Sequence, residues 1–134
     1  MVGYPMNRKF RLSKREDFAK VRLEGRYYSN PLLALGASPN ALTHSRFGFV
    51  VSRRIGKAVR RNRVKRLLRE AARLRLGQIA PGWDVVVIAR SAAAQADFWR
   101  LDGALAHLLD LAGLLSPAGS NGETANGARQ ASGV

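Results

Sequence analysis

Apolar positions fall along this chain in short blocks whose spacing switches from helical to alternating and back. In "RLSKREDFAKVRLEG", Phe18 and Val21 share the inner face of a short helix. Ser13, with Glu16 three residues later, forms a capping-box pattern that would start it. Gly25 stands where such a helix ends in a left-handed residue. "RYYSNPLLALGAS" reads as an edge-leaning strand, with Pro31 limiting regular pairing and Leu33 and Leu35 alternating after it. In "RFGFVVSR", Phe47, Phe49 and Val51 fall on one face and Gly48, Val50 and Ser52 on the other, giving a strand expected to run antiparallel to the first.

A long helix is predicted from Ala58 to about Leu76, with Gly77 as its stop. At about 100° per residue, Val64, Leu67, Leu68, Ala71 and Leu74 cover its inner side. After the Pro-Gly turn of "PGWDVVVIAR", the run from Val85 to Ile88 suits a strand buried on both faces. Phe98, Leu101, Leu105, Leu108 and Ala112 then return at helical spacing as the core face of a last helix. "SPAGSNGETANGARQASGV" has almost nothing large to bury. Residues 116 to 134 are therefore expected to be a disordered tail, and residues 1 to 115 one compact domain.

Charge sharpens this picture. The formal net charge of +14 is uneven: residues 1 to 75 hold 20 of the 23 cations and 4 of the 9 acids, a balance of +16, and the remainder is −2. Self-repulsion of that size opposes folding and is explained by a polyanionic partner, most commonly nucleic acid. Cysteine is absent, which excludes disulfides, thiolate zinc sites and thiol nucleophiles and suits a cytoplasmic chain. The N-terminal "MVGYPMNRKF" has no apolar stretch of the kind a signal peptide carries, and no apolar run approaches the ~20 residues of a membrane span.

The positive field concentrates in "RRIGKAVRRNRVKRLLRE". Opposite the apolar side of the long helix lie Asn62, Arg66, Arg69 and Arg73, with Arg63 and Lys65 on the flanks, so the cations form a ridge facing away from the core. A merely solvated helix interleaves Glu with its cations, whereas Glu70 is the sole acid among nine cations from Lys57 to Arg75. Arginine predominates, which favours phosphate forks. Arg53 and Arg54 at a strand end, then Gly56 and Lys57 at the helix entrance, are placed to converge on one phosphate. The apolar side lacks Trp and Phe and is needed for the core, which argues against a membrane-surface helix.

No catalytic grouping accompanies this ridge. Glu16 and Asp17 are adjacent and point different ways, Asp97, Asp102 and Asp110 are scattered, and His44 and His107 suit structural or solvated positions. No metal-ligand or triad spacing occurs. Reacting groups are thus expected from a partner.

"FGFVVSRRIGKAVRRNRVKRLLREA" resembles the signature of the bacterial ribonuclease P protein subunit, an Arg-Asn-Arg core followed by Lys-Arg and apolar residues. "RLSKREDFAKVRLEG" is similar to that family's first helix and "WDVVVIAR" to its later strand, so the resemblance spans roughly residues 8 to 112. It implies an α+β domain of order αβββαβα with a left-handed βαβ crossover, similar to a ribosomal protein fold, and hence a further strand hidden within residues 27 to 37. It implies tRNA 5′-end maturation, in which a catalytic RNA performs metal-assisted cleavage of precursor tRNA, with magnesium in the RNA-containing holoenzyme; no obligate protein partner is inferred. By position, Arg61, Asn62 and Arg63 match the hallmark, Lys65, Arg66, Arg69 and Arg73 extend it, and Arg53, Arg54 and Lys57 match the basic entry loop. Phe18 matches an aromatic position in a cleft that binds the 5′ leader. There this chain departs from the family by carrying Arg22 where a second aromatic is common, and Ala34 and Gly36 on the sheet. Rival readings are a free-standing RNA chaperone or ribosome-associated RNA-binding protein, and a protein-only nuclease.

Overall fold

The computed structural model describes residues 6–115. Helix α1 (Arg15–Glu24) leads into strands β1 (Arg26–Ser29), β2 (Leu33–Pro39) and β3 (Arg46–Val50), followed by helix α2 (Ala58–Leu74), strand β4 (Trp83–Ala89) and helix α3 (Phe98–Leu111). This is the αβββαβα order, an α+β domain with one four-stranded mixed sheet. The segment from residue 116 onward, expected as a tail, lies outside the described residues.

The sheet order is β1-β2-β4-β3. Four consecutive buried residues, Asp84 to Val87, suit β4 to an interior position, antiparallel to β2 and parallel to β3. Two expectations therefore change. The strand of "RFGFVVSR" pairs with β4 rather than antiparallel to the preceding strand, because the α2 crossover returns the chain in the same direction beside it. The stretch read as one edge-leaning strand is a hairpin, with β1 at the edge and β2 inside. Pro31 sits in the turn between them, where it disturbs no ladder. The Asn30 side-chain oxygen accepts from the amides of Leu32 and Leu33, and its Nδ2 donates to Ala104 O at 3.1 Å, tying the hairpin to α3.

Alternation gives the sheet two faces. Leu33, Leu35, Phe47, Val85 and Val87 join Val64 and Leu68 of α2 and Leu101, Leu105 and Leu108 of α3 in the main core. Leu74, expected inside, is 56% exposed at the end of α2. On the other face Val86 packs with Leu12 and with Val21 of α1, and Phe18 and Ile88 lie at the margin of this smaller cluster.

Helix α1 starts later than its capping pattern suggests. The Leu12 amide donates to Phe47 O at 2.8 Å and Arg11 bridges to Phe47, which keeps the chain extended there. Lys14 becomes the N-cap and no side chain caps the helix. Gly25 is extended rather than left-handed. Its role is close approach, since a Cβ there would meet Val21 O at 2.5 Å and Ala37 O at 2.9 Å. The opposite end of α1 is clamped by a charge network. Buried Asp84 accepts from Arg46 Nε and Nη2 at 2.9 and 2.8 Å and from Asn40 Nδ2 at 2.9 Å, while Arg46 Nη1 reaches Asp17 of α1 at 3.4 Å. The hydrogen bond to Asp84 raises the Arg46 pKa against the opposing effect of burial.

Candidate RNA-binding surface

Register places Tyr27, Gly36, Val86 and Gly48 in one row across the four strands on the α1 face. Both glycines in this row are covered by rings. A Cβ at Gly48 would come within 2.5 Å of the Phe18 ring, and one at Gly36 within 2.6 Å of the Tyr27 ring. Tyr27 remains 45% exposed. The next row, Ser29, Ala34, Ile88 and Val50, keeps exposure at every position beside α1. Ala34 and Gly36 thus lie on this face, Arg22 is exposed one turn after Phe18, and a second aromatic ring reaches the face from β1.

Two cationic depressions adjoin the open face, one at the β3 margin and one past the end of β4. At the β3 edge, a depression of about 240 Å³ brings Phe18 and Gly48 together with Arg11, Lys65 and Arg69. The Nε of Arg69 is buried there without a hydrogen-bond partner, and burial, with the nearby charge of Arg11 second, lowers its pKa from the usual arginine value. Past Val50 and Ile88, a second depression of about 630 Å³ carries Arg54 and Arg90. Arg90 donates from Nη1 to Asn30 O at 2.9 Å, which fixes its position. An open, partly apolar face flanked by cations suits a single strand, whose bases stack or pack while its phosphates are held.

The ridge expected along α2 divides. Asn62 and Arg66 are exposed and face outward. Lys65 and Arg69 turn toward Phe18, and on the other flank Arg63 donates to Ala96 O at 3.2 Å. Arg61 is part-buried, with its Nε also lacking a partner. Arg73 forks onto Glu70 at 2.9 and 2.7 Å, so its charge is largely compensated, and that bond lowers the Glu70 pKa. The entry loop also divides. Arg53–Ile55 forms a 3-10 turn capped by Ser52, and Arg54 and Lys57 line different depressions instead of one phosphate site. Arg53 is exposed and lines neither. Arg11, Tyr27 and Arg90 are the contributors that reading the sequence missed. The glycine at position 36, fourth in the alternating strand β2, was the available signal for a covering ring.

Several acids already have structural work. Asp17 and Asp84 hold Arg46, Glu70 holds Arg73, Asp102 forks onto Arg75 at 3.1 and 2.7 Å, and Asp97 caps α3. Both histidines make structural contacts: His44 Nε2 lies 3.0 Å from Lys9 O, and His107 Nδ1 lies 3.2 Å from Asn30 Nδ2. Among the described residues no three His, Asp or Glu side chains group as metal ligands.

A ribonuclease P family model matches residues 6–113. The ribonuclease P protein component of Roseiflexus castenholzii is 47% identical over 114 residues, covering 84% of this chain and 93% of that protein. The solved structure of the Thermotoga maritima RNase P protein in complex with 1-(4-fluorophenyl)-2-thiourea is 40% identical. It has a TM-score of 0.70 over 74% of this chain and 96% of that one. A Staphylococcus aureus RNase P protein mutant with defective mRNA degradation activity is 30% identical, with a TM-score of 0.76 over 80% of this chain and 91% of that one. With its basic α2, its cleft beside α1 and these relatives, the chain belongs to the bacterial ribonuclease P protein family, whose members associate with the ribonuclease P RNA in tRNA 5′-end processing.

Proposed function

We propose that the RNA subunit supplies the cleavage chemistry while this protein grips both the ribozyme and its substrate. The 5′ leader of precursor tRNA lies in the cleft beside α1, over Ala34 and Gly36. Phe18 and Tyr27 offer ring faces there, Arg22 borders it, and Arg11, Lys65 and Arg69 take phosphates. Asn62, Arg66 and the flank around Arg63, Arg60 and Lys57 dock on the catalytic RNA. Magnesium belongs to the RNA in this reading, and no step is assigned to it through protein side chains. The complex works in the cytoplasm; in keeping with this, no helix among the described residues is long and apolar enough to cross a membrane. The carrying observation is the meeting of Phe18 with Lys65 and Arg69 in one depression, a ring and phosphate forks side by side.

Reconstitution with the ribonuclease P RNA of the same genome tests this. Protein alone should leave precursor tRNA uncut, and RNA with protein should cut it at lower magnesium than RNA alone. Phe18→Ala and Tyr27→Ala, checked for folding by thermal unfolding, should lose the preference for leader-bearing over mature tRNA. Arg66→Ala should weaken assembly and keep that preference. Folded cleft variants with full preference would overturn the assignment. The S. aureus mutant supports a second reading, in which the protein alone degrades messenger RNA. Cleavage of an unstructured messenger fragment by RNA-free protein, surviving nuclease controls, would establish it.

A further inference from the structure

On the flank of α2 away from Phe18, a concavity of about 730 Å³ opens between the start of the helix and the 3-10 turn Ser91–Gln95. Its volume falls within the range of about 300 to 1,000 Å³ in which ligand sites lie. Lys57, Arg60 and Arg63 contribute charge to it, whereas Val59, Ala94 and the bare backbone of Gly56 contribute apolar wall. Gly56 has φ of 138°, which a side chain would strain, and a Cβ there would approach Arg60 Cδ at 3.1 Å. Arg63 is fixed by its bond to Ala96 O, so one guanidinium is positioned before any ligand arrives. Val59 is 83% exposed in the first turn of α2. Singly, an exposed valine is ordinary; walling a hollow set among three cations, it is not explained by solvation.

We propose that this concavity receives one unstacked nucleotide of the ribonuclease P RNA, its base against Val59 and Ala94 and its flanking phosphates on Lys57, Arg60 and Arg63. The inference rests on the function proposed above and adds to it a site for a single base. A nucleotide joins a flat apolar face to an anion, which is the pairing these walls offer. Duplex RNA presents phosphates but hides its base faces, so it would use the cations and leave the apolar wall idle. An apolar peptide would meet the opposite mismatch.

The probe is the ribonuclease P RNA of the same genome, transcribed in vitro. Val59→Ser changes neither charge nor a buried position, and should weaken binding about fivefold or more at fixed salt, as removing two methyl groups from an apolar contact does. The salt dependence should stay unchanged, because the phosphate contacts remain, and Val59→Ile should bind like the parent. The chain has no cysteine, so Val59→Cys accepts a single photo-crosslinker, whose adduct should map to one unpaired nucleotide. Unchanged affinity in Val59→Ser, or adducts spread along a paired segment, overturns the site and leaves the proposed function standing. Failure of the parent protein to bind this RNA removes both.

Discussion

The guanidinium of Arg69 has a buried, partnerless Nε and the charge of Arg11 nearby, an arrangement that opposes folding of the free protein. A phosphate in the depression would relieve both penalties. Arg69→Met keeps the aliphatic stem and removes the charge. It should leave the free protein more stable by about 1 kcal/mol, the low end of the cost of an orphaned polar group because the residue is only part-buried. The same variant should bind precursor tRNA more weakly. Denaturant unfolding beside a binding titration checks this, and a loss of stability would show that Arg69 supports the fold by itself. The stacking surface follows a similar local logic. Gly36 lacks a side chain, and the Tyr27 ring occupies the space where one would stand.

Among the elements, the placing of α1 depends on the network of Asp84, Arg46, Asn40 and Asp17. Asp84→Ala would leave Arg46 and Asn40 without their shared acceptor, and should cost about 3 kcal/mol in denaturant unfolding, the low end for breaking a buried pair since Arg46 keeps some exposure. A cost near zero would mean that apolar packing of Val21 alone positions the helix. The sequence disclosed α2, β4 and α3 within two or three residues, because each repeats its period over many positions. Strand partners were not legible: strands of four to seven residues carry little register information, and the crossover through α2 decides that β3 lies beside β4. The basic helix was legible as a ridge, whereas its division between two flanks was not. The depression beside Phe18 gathers Arg11, Gly48, Lys65 and Arg69 from distant parts of the chain, and no local pattern links them.

For the whole molecule, a balance of +16 in residues 1 to 75 means that binding to structured RNA releases counterions. With about 4 to 6 phosphates neutralised, log K should fall against log salt with a slope of roughly −3 to −5. A slope near zero would contradict a charge-driven interface. Among the described residues the sheet also ends in two open margins, β1 and, apart from the bridge at Phe47, β3, and such margins invite pairing between copies of a chain. Both strands are short, β1 begins at the exposed Arg26, and Arg11 bridges to β3 at Phe47. Between synthesis and meeting its RNA, the same positive charge that attracts phosphate should keep one free subunit's sheet from adding to another's. Removing cations along the β3 margin, Arg11 in particular, would therefore expose the protein to aggregation as well as weaken its hold on RNA, and light scattering at rising concentration separates the two effects.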